Sequence, residues 1–280
     1  MRVYLSVDME GVPGVVSFRQ VDPSSREYEH GRRWMTMLVK EAVEELLRLG
    51  VDEVTVNDAH GWMSNLPYGE LPEKVSLLSG YPKPICMVCG IDKGFDVAFF
   101  LGYHSGKGMA HSVMDHTLSS RIIQRVLAND LPADELFLNA AVAGEFDVPV
   151  VLVAGDDKVV ARAKELIPGV VAVELKKSYS RYAALTPSLL EVRRRLREGV
   201  EEAVRRAVKE VEPYKLKKPV KLEVEFTSTA YADVAENLPR CERVDGLTVR
   251  YVAADAVDAY KVLELLLLAA IGVSSLVERR

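Results

Sequence analysis

The apolar residues of this chain fall into short β-type runs, each of which stops abruptly in polar, metal-capable residues, and the first two runs are joined by one helical segment. Residues 2 to 7 favour strand, and the run ends at Asp8-Met9-Glu10-Gly11-Val12-Pro13-Gly14, whose glycines and proline make a loop. From 28 to 49 apolar positions recur at helical spacing (Trp34, Met37, Leu38, Ala42, Val43, Leu46, Leu47), and Gly50 supplies a C-terminal stop. A second run, 51 to 56, gives way to Asn57-Asp58-Ala59-His60. A strand, a returning helix and a second strand make a βαβ unit, which implies a parallel sheet.

The pattern continues. Residues 97 to 101 lead into Gly102-Tyr103-His104, and 148 to 153 lead into Ala154-Gly155-Asp156-Asp157. A helix is expected over 134 to 145, and another from Thr186-Pro187, an N-cap followed by proline at the first helical position, to about 211. Beyond the Lys215-Leu216-Lys217-Lys218-Pro219 connector, strands near 220–226 and 247–252 precede a long helix over about 254–276. The expected architecture is therefore α/β, a mostly parallel sheet flanked by helices, with a metal-binding catalytic domain over 1–212 and a smaller α+β unit over 219–280.

In an open α/β sheet, ligands bind beyond the carboxyl ends of the parallel strands, where helices and loops diverge. Three consecutive strands deliver Asp8 with Glu10, His60 and His104 to that edge. Either carboxylate alone reads most simply as a turn or cap residue, and either histidine alone as a hydrogen-bonded loop residue. Their joint occurrence in a chain with five histidines points instead to the ligand set of a zinc or manganese hydrolase. His116 follows a flexible-looking Gly106-Lys107-Gly108 loop; it suits proton transfer, and equally reads as an exposed loop histidine. Glu135 fits a ligand or a favourable first-turn helix carboxylate, and Asp156-Asp157 read as N-cap residues.

Composition narrows the partners. A net charge of −5 with interspersed signs offers no basic surface for nucleic acid. The late apolar run over 265–273 is shorter than the roughly 20 residues that span a bilayer, so it reads as a buried helix and no membrane partner is expected. Acidic residues interrupt the N-terminus before an apolar signal core develops, and three cysteines cannot pair completely; a cytoplasmic location is expected. Cys86-Met87-Val88-Cys89 has the spacing of half a zinc site, but only Cys241 remains to complete it, so it reads as buried packing. The arginines at 193–195, 197, 205 and 206 read as a solvated helix face with glutamate partners.

These residues resemble the zinc-dependent D-aminopeptidase family first described from a bacterial dipeptide-transport operon. The resemblance is carried by Ser6-Val7-Asp8-Met9-Glu10-Gly11, Val56-Asn57-Asp58-Ala59-His60, Phe100-Leu101-Gly102-Tyr103-His104, Glu135-Leu136-Phe137-Leu138-Asn139-Ala140 and Val153-Ala154-Gly155-Asp156-Asp157. It implies two zinc ions per subunit held by Asp8, Glu10, His60, His104 and Glu135, with Asp8 bridging, and His116 as the catalytic histidine. It further implies a short peptide substrate and a ring-shaped homo-oligomer, a decamer, whose sites open onto an internal channel. Two departures from the family pattern are a segment between His104 and His116 about one residue longer, carrying His111, and Cys89 where an acidic residue is expected.

The implied chemistry is removal of an N-terminal residue, a D-amino acid, from short peptides or amino-acid amides by a water activated between two cations. A metal-dependent phosphoesterase would use the same ligand types but lacks a Gly-rich phosphate cradle here. A non-catalytic ring-forming peptide-binding scaffold would be expected to have lost ligands, and none is missing.

Overall fold

The structure, a computed structural model, describes residues 1–277. In chain order it comprises β1 (Arg2–Val7), α1 (Tyr28–Arg48), β2 (Glu53–Asp58), β3 (Val75–Leu78), β4 (Val97–Tyr103), β5 (Ile123–Ala128), β6 (Leu131–Pro132), α2 (Glu135–Glu145), β7 (Val150–Asp156), α3 (Asp157–Leu166), β8 (Val171–Ser180), β9 (Ala183–Leu185), α4 (Leu189–Glu202), a π-helical turn (Ala203–Ala207), α5 (Val208–Glu210), β10 (Val220–Phe226), α6 (Thr229–Ala235), β11 (Glu242–Arg243), β12 (Thr248–Ala253) and α7 (Ala256–Val277).

The main sheet has the order β3-β2-β1-β4-β7-β8-β9, parallel except for the β8–β9 hairpin. β4 and β7 lie near its centre and are buried along their whole length, which is why their sequences run apolar without alternation. Helix α1 covers one face with Met35, Leu38, Val39, Ala42, Val43 and Leu46, a stripe set slightly to one side of the expected one, since Trp34, Met37 and Leu47 are only half-buried. Each such aliphatic side chain contributes about 1.5–3 kcal/mol when fully buried. Gly50, at φ +84°, ends the helix where other residues would be strained.

The second sheet, β11-β12-β10-β5-β6, is antiparallel. Three of its strands, β10, β11 and β12, come from 219–280, where β10 and β12 are expected, but β5 and β6 are supplied by the middle of the chain. The two sheets are therefore not contiguous stretches of sequence, and a cut at 212–219 does not separate them. β5 is hard to read from sequence because its long partner, β10, lies about a hundred residues later and its residues, Ile-Gln-Arg-Val-Leu-Ala, alternate only weakly.

Helix α4 begins later than expected. Ser188, not Thr186, is its N-cap and accepts from the Glu191 amide, while Thr186 Oγ1 is taken by the Gly14 amide. The arginine-rich face pairs with glutamates: Arg193 and Arg197 with Glu41, Arg194 and Arg195 with Glu191, and Arg206 with Glu202 and Glu210. Helix α7 is, by length and composition alone, apolar enough to cross a membrane, which the shorter 265–273 run did not reveal. One side, including Tyr260, Leu263, Leu266 and Leu267, is buried in this fold, and Leu265, Ile271, Leu276 and Val277 are exposed.

Candidate metal centre

Two close backbone approaches shape the strand ends. The Asp8 amide donates to Leu101 O (2.8 Å) and the Gly11 amide to Gly102 O (2.7 Å), joining the loop after β1 to β4. A Cβ on Gly11 would sit 1.9 Å from Tyr103 O, and one on Gly102, which has φ +69°, would sit 2.2 Å from Asp8 O. Only glycine lets the two strand ends come this close. Asp8 and Glu10 are thereby brought beside His104, which leaves β4 just beyond Tyr103.

His60 is fixed by a loop wrapped on Asp58. That carboxylate accepts from the Asn65 and Leu66 amides and from Asn65 Nδ2, and Asn65 Nδ2 also donates to His60 O. Glu135 occupies the first turn of α2, capped by Asp134, which accepts from the Phe137 amide at 2.8 Å. Its Oε1 accepts from the Leu118 amide (2.6 Å), so the same residue serves the helix turn and faces the site. The loop to His116, read as flexible from its glycines, is tied down: Gly108 donates to Asp115, Asp115 pairs with Arg181, and Met114 donates to Arg181 O. His116 is buried rather than exposed, while His111 is exposed and takes no part in the site.

All six residues singled out from sequence meet in one place, as two groups that could each hold a metal ion: Asp8, Glu10 and His60, and His104, His116 and Glu135. His60 Nδ1 lies 2.9 Å from Glu10 Oε2 and 3.3 Å from Asp8 Oδ1. His104 Nε2 lies 3.4 Å from Asp8 Oδ2 and 3.3 Å from Glu135 Oε2. Asp8 thus turns one oxygen to each group, the geometry a bridging carboxylate needs. His116 Nε2 stands farther out, 3.8 Å from Glu10 Oε1 and 3.9 Å from Glu135 Oε1, with its ring stacked on His104 at 4.3 Å.

The cage fits cations on three counts. Asp8 Oδ2, Glu10 Oε2 and His104 Nε2 are buried without a hydrogen-bond partner, and such groups are costly unless something satisfies them. Each imidazole gives its other nitrogen to a main-chain carbonyl, His60 to Val21 O, His104 to Ser105 O and His116 to Met114 O; the proton is thereby assigned outward and the lone pair inward, as in histidine–metal sites. Carboxylates and imidazole lone pairs are the donor set of zinc. The cysteines are not part of it: burial pushes the Cys86 thiol up to about 12, and it packs as a buried neutral group.

Without cations, only protons can neutralise the cage. Burial and the adjacent Glu10 raise Asp8 to about 7. Burial disfavours the charged imidazoles, but the carboxylates of Glu10 and Asp8 outweigh it at His60, and those of Glu135 and Asp8 at His104, holding both well above the ordinary histidine range. A group whose folded pKa is raised stabilises the fold fully below its unfolded pKa and loses that contribution as pH rises through the folded value. The Asp8 share disappears between its ordinary value of 3.8 and about 7, and the histidine share above roughly 6.5. Glu10 and Glu135 are lowered, so their opposite contribution changes only in acid. Metal-stripped protein should therefore melt at a lower temperature at pH of about 8.5 than at about 6. Circular dichroism melts in chelator test this; an equal or higher melting temperature at the alkaline pH would refute the assignment.

The cage opens into a cavity of about 700 Å³, within the range that holds a small ligand. Phe18, Trp62, Tyr81 and Tyr182 line it with Leu267 and Ile271 of α7. Two buried lysines behind the ligand loops escaped the sequence reading. Lys83 Nζ donates to Asn57 Oδ1, Asp58 O and Leu78 O, and Lys176 Nζ to Glu10 O, Val12 O and Val15 O; burial pushes each down to about 8. The available signal was a lysine inside the strand run of β8, where Leu175 and Lys176 are both fully buried.

The family described as D-aminopeptidase, peptidase family M55, matches residues 1–265. A D-aminopeptidase of Bacillus subtilis (strain 168) is 38% identical over 262 residues, 93% of this chain and 94% of that one. The solved structure of DppA from Bacillus subtilis, titled a Zn-dependent D-aminopeptidase and a self-compartmentalizing protease, superposes with a TM-score of 0.93 at 38% identity, covering 97% of this chain and 98% of that one. Agreement of fold and sequence over nearly the whole length, around a carboxylate–histidine cage suited to hydrolysis, makes this chain a peptidase that belongs to the D-aminopeptidase family.

Proposed function

We propose that the chain is a zinc-dependent aminopeptidase that removes the N-terminal residue, a D-amino acid, from short peptides or amino-acid amides. The observation that carries this reading is the convergence of three imidazoles and three carboxylates in one cage that opens into the cavity, with Asp8 facing both groups. Asp8, Glu10, His60, His104 and Glu135 would hold two zinc ions. Bound there, the cations supply Lewis acidity, polarising the scissile carbonyl and acidifying a water.

The protein's own residues do the rest. His116 is pushed below the ordinary histidine range by burial and by His104, so it is neutral near pH 7, with its Nδ1 proton committed to Met114 O. Its Nε2 takes the proton of the attacking water and returns it to the leaving amine. The aromatic walls exclude water and grip the substrate side chain. A ring-shaped homo-oligomer is supported by the exposed apolar side of α7 and by the self-compartmentalizing relative.

The test is chelation and zinc readdition on purified protein assayed with paired D- and L-aminoacyl amides, dipeptides and a folded protein. Zinc-restored turnover of the D-series peptides and amides, with the folded protein refused, is the expected pattern; equal turnover of L-substrates removes the stereochemical claim. A native mass near the 31.0 kDa of one chain would remove the ring.

A further inference from the structure

Lys176 touches none of the reacting groups in this scheme, yet it is among the largest fully buried side chains of the molecule. It stands on β8, in register with Asp156 of β7, and its ammonium donates to the main-chain carbonyls of Glu10, Val12 and Val15, the Val12 contact at 3.0 Å. An ammonium has three protons and no acceptor, so these bonds saturate it. All three acceptors belong to the single loop that carries Glu10 from β1 into the cage.

Three carbonyl dipoles directed at one point repel each other unless a cation sits among them. A buried cation is in turn costly unless it is fully hydrogen-bonded. Loop and lysine therefore each need the other, and the lysine arrives from more than 160 residues further along the chain. The loop's other bonds are the Gly11–Gly102 contact, two tight turns, Val12 to Met9 and Val15 to Val12, and, at its far end, Gly14 to Thr186 Oγ1 and Gln20 Nε2 to Gly14 O; none of them holds the Glu10 carbonyl.

We propose that Lys176 is a positioning residue for the metal centre, locking the backbone from Glu10 to Val15 so that the Glu10 carboxylate is aimed at the cation held by Asp8, Glu10 and His60. The inference rests on the reading that the cage holds metal ions. Its action is selective: Glu10 belongs to one group, and the group of His104, His116 and Glu135 stands on other elements, β4 and α2 with the loop between them. Loss of a residue that orients a metal ligand weakens metal binding by about 10- to 100-fold.

Zinc affinities of the metal-stripped full-length protein, measured by competition with a chromophoric chelator, test this in the wild type, Lys176→Met, Lys176→Arg and Glu41→Gln. Glu41 is equally buried, pairs with Arg193 and Arg197, and lies outside the cavity. Lys176→Met should keep one ion near wild-type affinity and bind the other about 10- to 100-fold more weakly; Lys176→Arg, which retains charge and donors, should recover part of that loss. Glu41→Gln should lower thermal stability and leave both affinities unchanged. A folded Lys176→Met that binds both ions as the wild type does overturns the proposal, as does an even weakening of both ions. Failure of both Lys176 variants to fold, with Glu41→Gln folded, assigns the lysine to the fold and overturns it too. A wild type that binds no zinc would instead sink the metal reading itself.

Discussion

Asp8→Ala should leave a folded protein that carries neither zinc ion and has lost about three orders of magnitude or more in kcat/KM, since cation catalysis is worth several kcal/mol and each 1.4 kcal/mol is tenfold in rate. Among the described residues, Asp8 is the carboxylate that comes within 3.4 Å of a histidine of each group, His60 at 3.3 Å through one oxygen and His104 at 3.4 Å through the other. Glu10 and Glu135 do not replace it, because Glu10 is 2.9 Å from His60 but 3.8 Å from His116, and Glu135 approaches only His104 and His116. Truncation at Asp8 therefore removes a ligand from both ions together, whereas His60→Ala would remove one ligand from one of them. Elemental analysis of the dialysed variant decides: two ions per subunit would refute the bridging role.

His116→Ala should behave differently, keeping its zinc while kcat falls by about 10²- to 10⁴-fold, the usual worth of a general acid–base group. His116 Nε2 is 3.8 and 3.9 Å from its carboxylate neighbours, while the other two histidines come within 2.9 to 3.4 Å of theirs. Its ring also meets Phe18 of the cavity wall edge-on, at 6.0 Å. That looser fit suits a group that moves a proton better than one that holds an ion. The same geometry permits a contrary result, a variant with one ion fewer, which would make His116 a ligand and leave the proton relay without a residue. Zinc content and single-turnover rates on one preparation separate the two.

The parts of this centre that the sequence makes legible are those carried by strand ends. Asp8, Glu10, His60 and His104 each follow a β-type run within three residues, and parallel strands end on the same side of a sheet, so their meeting follows from local pattern alone. Glu135 and His116 are harder, because the chain between His104 and α2 leaves the main sheet, builds β5 and β6, and returns. Periodicity says nothing about where such a segment comes back, and the resemblance to a known family was needed to place both residues. Lys83 and Lys176 went unread, although a lysine inside the run of β8 was a trace of the second. Apart from Asn57 Oδ1 their partners are main-chain carbonyls, which every residue has, so little in the side-chain pattern marks the loops they hold.

The interleaving of the two sheets has a consequence for the order in which the molecule can be made. The strand between His116 and Glu135 finds its principal partner, β10, about a hundred residues later, through the pairing of Val126 with Val224 and its neighbours. A nascent chain still lacking its last quarter has both carboxylates of the first loop and all the histidines, but lacks β10, the long strand on which β5 pairs. The second sheet, and with it the pairing of the chain between His116 and Glu135, is thereby completed only when synthesis is almost finished.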